Sequence, residues 1–346
     1  MTLSGIKIVA EQEFRVRLRT GRWRWLLVAW VVVIAAFTAL LRYALGLARS
    51  ASEVGMNNIG LPMFGALMLF VLGLALLVAP ALAAQSINGD RERGTLATVQ
   101  VTPLSAWEIT LGKFAAAWTT GLVFLGLTLP FAVWAVLEGG VGPLRALAVV
   151  AVVALLIGVI CAMAQGLSAL FARGITSTLM SYLLVFALTV GTVIAFALVL
   201  PLTLKEHEYT ITNDLGQSTT RTEEVPQPQY VWWLLAPNPF VILGDAAPAP
   251  PMQFNPDTGR EEPVISMDPL STIGLGARSM RMDMTDYDRS QLYSSPAVWP
   301  YGLGFNVLVG AGALWLSARR LRTPARTLAS GVTPARTPPA CSGCRG

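Results

Sequence analysis

Residues 146–172 read ALAVVAVVALLIGVICAMAQGLSALFA, a run with no charged side chain, held between Arg145 and Arg173. A helix rises about 1.5 Å per residue, so about 20 apolar residues cross the roughly 30 Å hydrocarbon layer of a bilayer. This run exceeds that length, and it has five counterparts. Charge-free blocks also cover 25–41, 54–89, 114–137, 174–204 and 290–318. The first is short and reaches full length once Trp23, Arg24 and Arg42 snorkel toward the headgroups. Only 13% of the residues are charged, against about 25% in an average soluble domain. A buried soluble core does not account for six such blocks. The expected fold is therefore an all-α polytopic membrane protein with six transmembrane helices.

Lysine and arginine near the span ends set the expected orientation. With the N-terminus inside, the inner segments carry Lys7, Arg15, Arg17, Arg19, Arg22 and Arg24, then Arg91, Arg93, Lys113 and Arg173, then Arg319, Arg320, Arg322 and Arg326. The short outer loops hold Arg42, Arg49 and Arg145. Both termini are thus expected in the cytoplasm, with the chain as a multi-pass protein of the plasma membrane. The long basic lead and the length of the first block argue for a retained span over a cleaved signal peptide. The positive-inside rule accounts for the basic ends, and no aromatic-basic module points to nucleic acid.

The expected organisation follows. Residues 1–24 form a basic cytoplasmic N-terminal segment of poor helical periodicity at the membrane surface, and 25–203 carry helices one to five with a coupling loop at 85–113. Residues 204–296 form a mixed extracytoplasmic insert, 297–318 the sixth helix and 319–346 a disordered tail. The insert holds thirteen acidic against six basic side chains. Within it, Tyr209-Thr210-Ile211-Thr212, a Gly216 turn and Ser218–Thr222 read as a polar hairpin. The apolar stretch 231–246, broken by Pro237 and Pro239, is too short to span and reads as re-entrant, anchored by Trp232 and Trp233. The Pro-rich stretch 248–269 reads as irregular.

Much chemistry is missing. No G-x-x-x-x-G-K-[ST] loop is present to hold ATP phosphates, and there is no H-E-x-x-H or G-x-S-x-G motif. The single histidine, His207, falls in the outer insert and reads as a solvated loop residue. Catalytic residues, metal ligands and cofactors are therefore all expected to be none. Cys341 and Cys344 form a lone C-x-x-C, short of the four ligands of a structural zinc site, and Cys161 reads as a small packing residue. The span interiors hold almost no ionisable groups of the kind ion-coupled carriers use as relays. Any transport would draw its energy from elsewhere.

On the fourth span, Ala154, Gly158, Ala162 and Gly166 recur every four residues along one ridge, where small side chains let two helices approach closely. The plain alternative is an Ala/Gly-rich composition. Pro80, Pro130 and Pro201 lie in or at the ends of spans, as hinges or as fixed kinks.

One polar segment stands between the second and third spans: Asp90-Arg91-Glu92-Arg93-Gly94-Thr95-Leu96, then Thr102-Pro103-Leu104-Ser105, Glu108-Ile109 and Gly112-Lys113. Asn88 or Asp90 is placed to cap a short helix from Arg91, and Pro103 with Ser105 and Glu108 marks a second helix start. Leu96 and Val99 offer an apolar ridge between charges of both signs. In identity, order and place among the spans, this segment resembles the coupling element of ABC-2 type transporter permeases. It departs from the family at Asp90, where glutamate is more usual, and at Ala97, Val99 and Gln100, where an acidic residue and paired leucines are usual.

The resemblance implies the membrane-spanning subunit of an ABC exporter, not itself an enzyme, embedded in the lipid bilayer. It implies a separate ABC ATPase subunit docking on Asp90, Arg91, Glu92, Arg93, Gly94, Thr95, Leu96, Thr102, Pro103 and Glu108. A second copy or sister permease would complete the pathway. The rival expectation is a membrane-anchored sensor or assembly protein working through 204–296.

Overall fold

The structure is a computed structural model describing residues 2–19, 21–51, 58–92, 94, 104–212, 218–248, 252–255, 260–263, 268–282 and 296–322. Six of its helical segments are long and apolar enough to cross a membrane: Trp23–Ser50, Gly60–Glu92, Ala106–Leu137, Pro143–Leu170, Gly174–Thr203 and Trp299–Leu321. With no water to serve backbone polar groups inside lipid, a helix that closes its own hydrogen bonds is the form such apolar runs adopt.

In chain order, α1 (Leu3–Arg19) leads into α2 (Gly21–Ala51), the first span. The second span is α3 (Gly60–Ala83), followed by a turn and the short α4 (Asn88–Glu92). The third and fourth spans are α5 (Ala106–Leu137) and α6 (Pro143–Leu170). The fifth runs as α7 (Gly174–Phe186), a π turn over Ala187–Gly191, and α8 (Thr192–Val199). The sixth is α11 (Trp299–Arg322). α3 and α6 are the most enclosed spans, whereas α2 and α7–α8 turn most of their surface outward. The core joins Leu67, Met68 and Leu72 of α3 to Phe124 and Leu125 of α5 and to Val153, Leu156 and Ile160 of α6. Hydroxyls inside the bundle are satisfied locally: Thr38, Thr120 and Thr128 each bond the carbonyl four residues back, the usual way a helix carries threonine in apolar surroundings.

Between the fifth and sixth spans, β1 (Leu204–Thr212) pairs antiparallel with β2 (Ser218–Pro226), Leu204 opposite Pro226 and Thr212 opposite Ser218. His207 lies on β1, not in a loop. The apolar 231–246 stretch forms a 3-10 turn at Trp232–Leu234 and α9 (Pro239–Ala246). Among its described residues the proline-rich stretch is not irregular throughout. It holds β3 (Met252–Asn255) paired with β4 (Arg260–Pro263), then α10 (Pro269–Ser279), capped by Asp268. A proline at the first helical position removes a backbone N–H that would have lacked a partner anyway.

The lead-in, for all its poor periodicity, is helical over Leu3–Arg19, because tertiary contact with α5 overrides local pattern: Gly112 leaves room for Val9, whose Cβ would lie 2.6 Å from an added Cβ there. Two further expectations need correction. Trp23 does not snorkel. It is buried edge-on to Phe124 at 5.3 Å between ring centroids, and Arg42 pairs with Glu138 at 2.8 Å. The last helix continues beyond Ala318 to Arg322, since Leu321 is buried against Ile87, Ile109 and Ala169.

Candidate functional site

The polar segment begins where the second span ends. α4 starts at Asn88, not at Arg91, and neither Asn88 nor Asp90 acts as its cap. Instead the Ile87 and Asn88 amides both donate to Ser168 Oγ of α6, each at 3.2 Å. Asp90, Arg91 and Glu92 lie on α4, and Gly94 follows in a turn. Arg93, Thr95, Leu96, Val99, Thr102 and Pro103 fall outside the described residues.

Glu92 reaches a neighbouring span. Its Oε1 accepts the Gly174 amide at 2.9 Å, at the N-terminus of α7. The first amides of a helix have no internal partner and its N-terminus is partially positive, so a carboxylate there is favoured twice. Gly94 has φ of +72° and donates its amide to the Arg91 carbonyl at 3.2 Å. That left-handed turn ends α4, and a side chain would strain it.

At the far end of the segment, Ser105 and Glu108 form a capping box on α5. Glu108 is 5% exposed and has both oxygens occupied. Oε2 accepts the Ser105 amide at 2.8 Å, while Oε1 accepts the Thr2 amide at 2.6 Å and the Thr2 hydroxyl at 2.9 Å. The start of α1 is thereby tied to the start of α5.

One turn further along α5, Lys113 is only 3% exposed. Its ammonium donates to Asp90 Oδ2 of α4 at 2.5 Å and to Glu13 Oε1 of α1. A buried lysine is tolerated only with charge-assisted partners such as these. Lys113 belongs to the quoted segment but was not among the expected docking residues, and Glu13 sits in the lead-in. The one signal available in sequence was a lone lysine at the edge of an apolar block. Nearby, Gln165 of α6 donates to the Thr110 carbonyl at 2.9 Å. This end of the molecule is therefore a junction where α4, α1, α5, α6 and α7 meet through named bonds.

The small-residue ridge of α6 serves two neighbours. Trp118 of α5 donates its indole N–H to the Ala154 carbonyl at 2.8 Å and lies over Gly158. Ala162 and Gly166 face α11, where a Cβ on Gly166 would lie 2.5 Å from that of Ala313.

The opposite end carries two ion pairs on buried carboxylates. Arg145 of α6, 4% exposed, donates to Asp268 at 2.6 Å and to Ser271 Oγ at 3.0 Å. Asp245 of α9 accepts Arg278 Nε at 2.5 Å and the amides of Val298 and Trp299 at 2.6 and 2.7 Å. These bonds fix α9 and α10 onto the ends of the fourth and sixth spans. Between α3, the π turn and α9 runs an apolar groove of about 430 Å³ lined by Phe70, Gly73, Leu77, Val185, Thr189 and Phe240, with no ionisable group.

Residues 7–313 match the family model described as ABC-2 family transporter protein. No curated protein matches the chain.

Proposed function

The chain belongs to the ABC-2 transporter family and is a membrane permease component of an ABC transporter; from that premise we propose that it is the transmembrane half of an exporter. A separate ATP-binding-cassette subunit docks on the polar segment at 90–109, and a second permease copy or sister chain completes the pathway. Closing of the ATPase pair on ATP tilts the spans between inward- and outward-facing arrangements, as in other rigid-body transport cycles. The α1 end faces the cytoplasm and the α9–α10 end faces outward, in the plasma membrane. Lys7, Arg15, Arg91, Lys113, Arg173, Arg319 and Arg320 gather toward the α1 end, as the positive-inside rule asks.

The observation that carries the reading is the anchoring of α4. A five-residue helix has no stability of its own, yet this one is tied to α5, α6 and α7 through Asp90, Ile87, Asn88 and Glu92, and by way of Lys113 to Glu13 of α1. A loop that merely crossed the membrane surface would need none of these bonds, whereas a lever must have a fixed base. Exposed Arg91 stands at its tip. The apolar groove suits an amphiphilic cargo better than a small ion.

The test is co-expression with the cognate ATPase and purification on a tag carried by the ATPase. Charge reversal in the polar segment, Arg91→Glu with Arg93→Glu, leaves the permease folded and removes it from the complex. Undiminished co-purification and undiminished ATP-driven transport in that variant would sink the docking reading.

A further inference from the structure

We infer that Lys113 is a positioning residue that makes α1 and α5 follow the polar segment when the ATPase moves it. This rests on the docking reading above and goes beyond it by naming the joint. The inter-helix salt bridges found at this end among the described residues both end on Lys113. One ammonium thus holds a carboxylate of α4 and a carboxylate of α1 from a position on α5. The site is nearly dry at the lysine, 3% exposed, and its partners Glu13 and Asp90 are 28% and 18% exposed.

Attraction between charges falls slowly with distance in such surroundings and is little screened by salt. Moving Asp90 away from Lys113 therefore gives up an attraction that is kept when α5 moves with it. Gly112 brings α1 close enough for Glu13 to take part, because any larger residue would strike Val9. Other ties of α4 among the described residues run the other way, to Ser168 of α6 and to Gly174 of α7, and these are shared neutral bonds save for the Glu92 cap. The base of the lever is consequently held between two groups of helices, with the ionic joint on the α1–α5 side. Glu108, bonded to Thr2, adds a second tie between α1 and α5 and makes them move together.

The experiment uses the whole permease–ATPase complex in phosphatidylethanolamine and phosphatidylglycerol vesicles, with MgATP as the only ligand. Spin labels are placed at Leu3 of α1 and Ile175 of α7, 86% and 84% exposed and outside the joint, in a Cys161→Ala, Cys341→Ser, Cys344→Ser background. In the otherwise native chain, MgATP shifts the Leu3–Ile175 distance distribution. Among complexes of the neutral triple variant Lys113→Met, Glu13→Gln, Asp90→Asn that are recovered with the ATPase, the shifted population falls by about fivefold or more, the lower edge of ordinary coupling between sites. Lys113→Arg, which keeps the charge, retains the shift.

A purely structural ion triad predicts the contrary, since neutral replacements of similar volume often restore stability. A triple variant that assembles and shifts like the native chain overturns the inference, as does a native complex that hydrolyses ATP with no shift. Should the triple variant not give a single monodisperse species, Glu13→Gln carries the same readout, with a smaller loss expected and a native shift again overturning the joint. Loss of docking is a separate outcome, seen as failure of the native chain to co-purify with the ATPase, and it sinks the earlier reading before any label is read.

Discussion

Arg145, in the first turn of the fourth span, donates to Asp268, the N-cap of α10, at 2.6 Å, and the two are 123 residues apart in sequence. Both side chains are buried, 4% and 0% exposed. The contact closes the outer region onto the bundle. Asp268 performs three tasks at once, since it also accepts the amides of Leu270 and Ser271 at the start of α10.

Removing one partner strands the other in a low-dielectric site. Asp268→Ala is expected to destabilise the protein by about 3–5 kcal/mol, through the unpaired arginine and the lost cap. The double variant Arg145→Met, Asp268→Asn recovers most of that loss, because no charge is left buried and asparagine still caps. Thermal unfolding in detergent, followed by circular dichroism, distinguishes the two. Equal destabilisation by both would show that the pair is not what holds the outer region.

The six spans were legible because a bilayer asks one thing of a segment, an apolar length, and the sequence states that length directly. The start of α5 was legible too, since Ser105 and Glu108 act on each other within a single turn. Arg145 and Lys113 were read as topology markers at span ends. Their roles depend on Asp268 and Glu13, which lie 123 and 100 residues away, in a proline-rich stretch and in a helix of weak periodicity. Local pattern carries no record of such pairings. The α6 ridge was legible as a ridge, but nothing in its spacing said that Trp118 would take its outer half and Ala313 its inner half.

The inner half of that ridge makes a sharp steric forecast. Gly166→Ala places a methyl group 2.5 Å from Ala313 Cβ and 2.9 Å from its Cα, far inside contact distance. Overpacking of this kind costs about 1–3 kcal/mol. Pairing it with Ala313→Gly removes the nearest clash and returns part of the loss. Melting temperatures of the two single variants and the double variant form a cycle whose coupling energy is expected to be favourable. Strictly additive effects would mean that α6 and α11 are not in contact at this level.

The π turn in the fifth span has a partner from the outer region. Asn238 Nδ2 donates to the Thr189 carbonyl at 2.7 Å and to Thr192 Oγ1 at 2.9 Å, while its own Oδ1 accepts the Phe240 amide as the cap of α9. A π turn displaces backbone carbonyls from their regular partners, and Asn238 supplies the missing donor. Asn238→Asp keeps the cap but turns the donor into an acceptor facing a carbonyl. The expected cost is about 1–3 kcal/mol, because the new carboxylate faces the Thr189 carbonyl, which keeps only the 3.2 Å bond from Thr192 Oγ1, with faster hydrogen exchange confined to residues around 187–192. Exchange unchanged there and raised elsewhere would contradict this account.

Glu92 requires its two possible roles to be separated, because a residue that faces a partner can also hold its own chain together. Its carboxylate caps α7 through the Gly174 amide, and loss of an N-cap typically costs about 0.5–2 kcal/mol. Glu92→Ala is therefore expected to lower the stability of the isolated permease by that amount, with no ATPase present. Glu92→Gln keeps an accepting oxygen and is expected to lose less than half as much. If the isolated permease is indifferent to Glu92→Ala while complex formation falls, the side chain acts on the partner and the Gly174 contact is incidental. If stability and complex formation fall together, and Glu92→Gln restores both, the cap sets the geometry that the ATPase meets. The second outcome is expected, since the cap anchors α4 to α7 and so places exposed Arg91 at the surface.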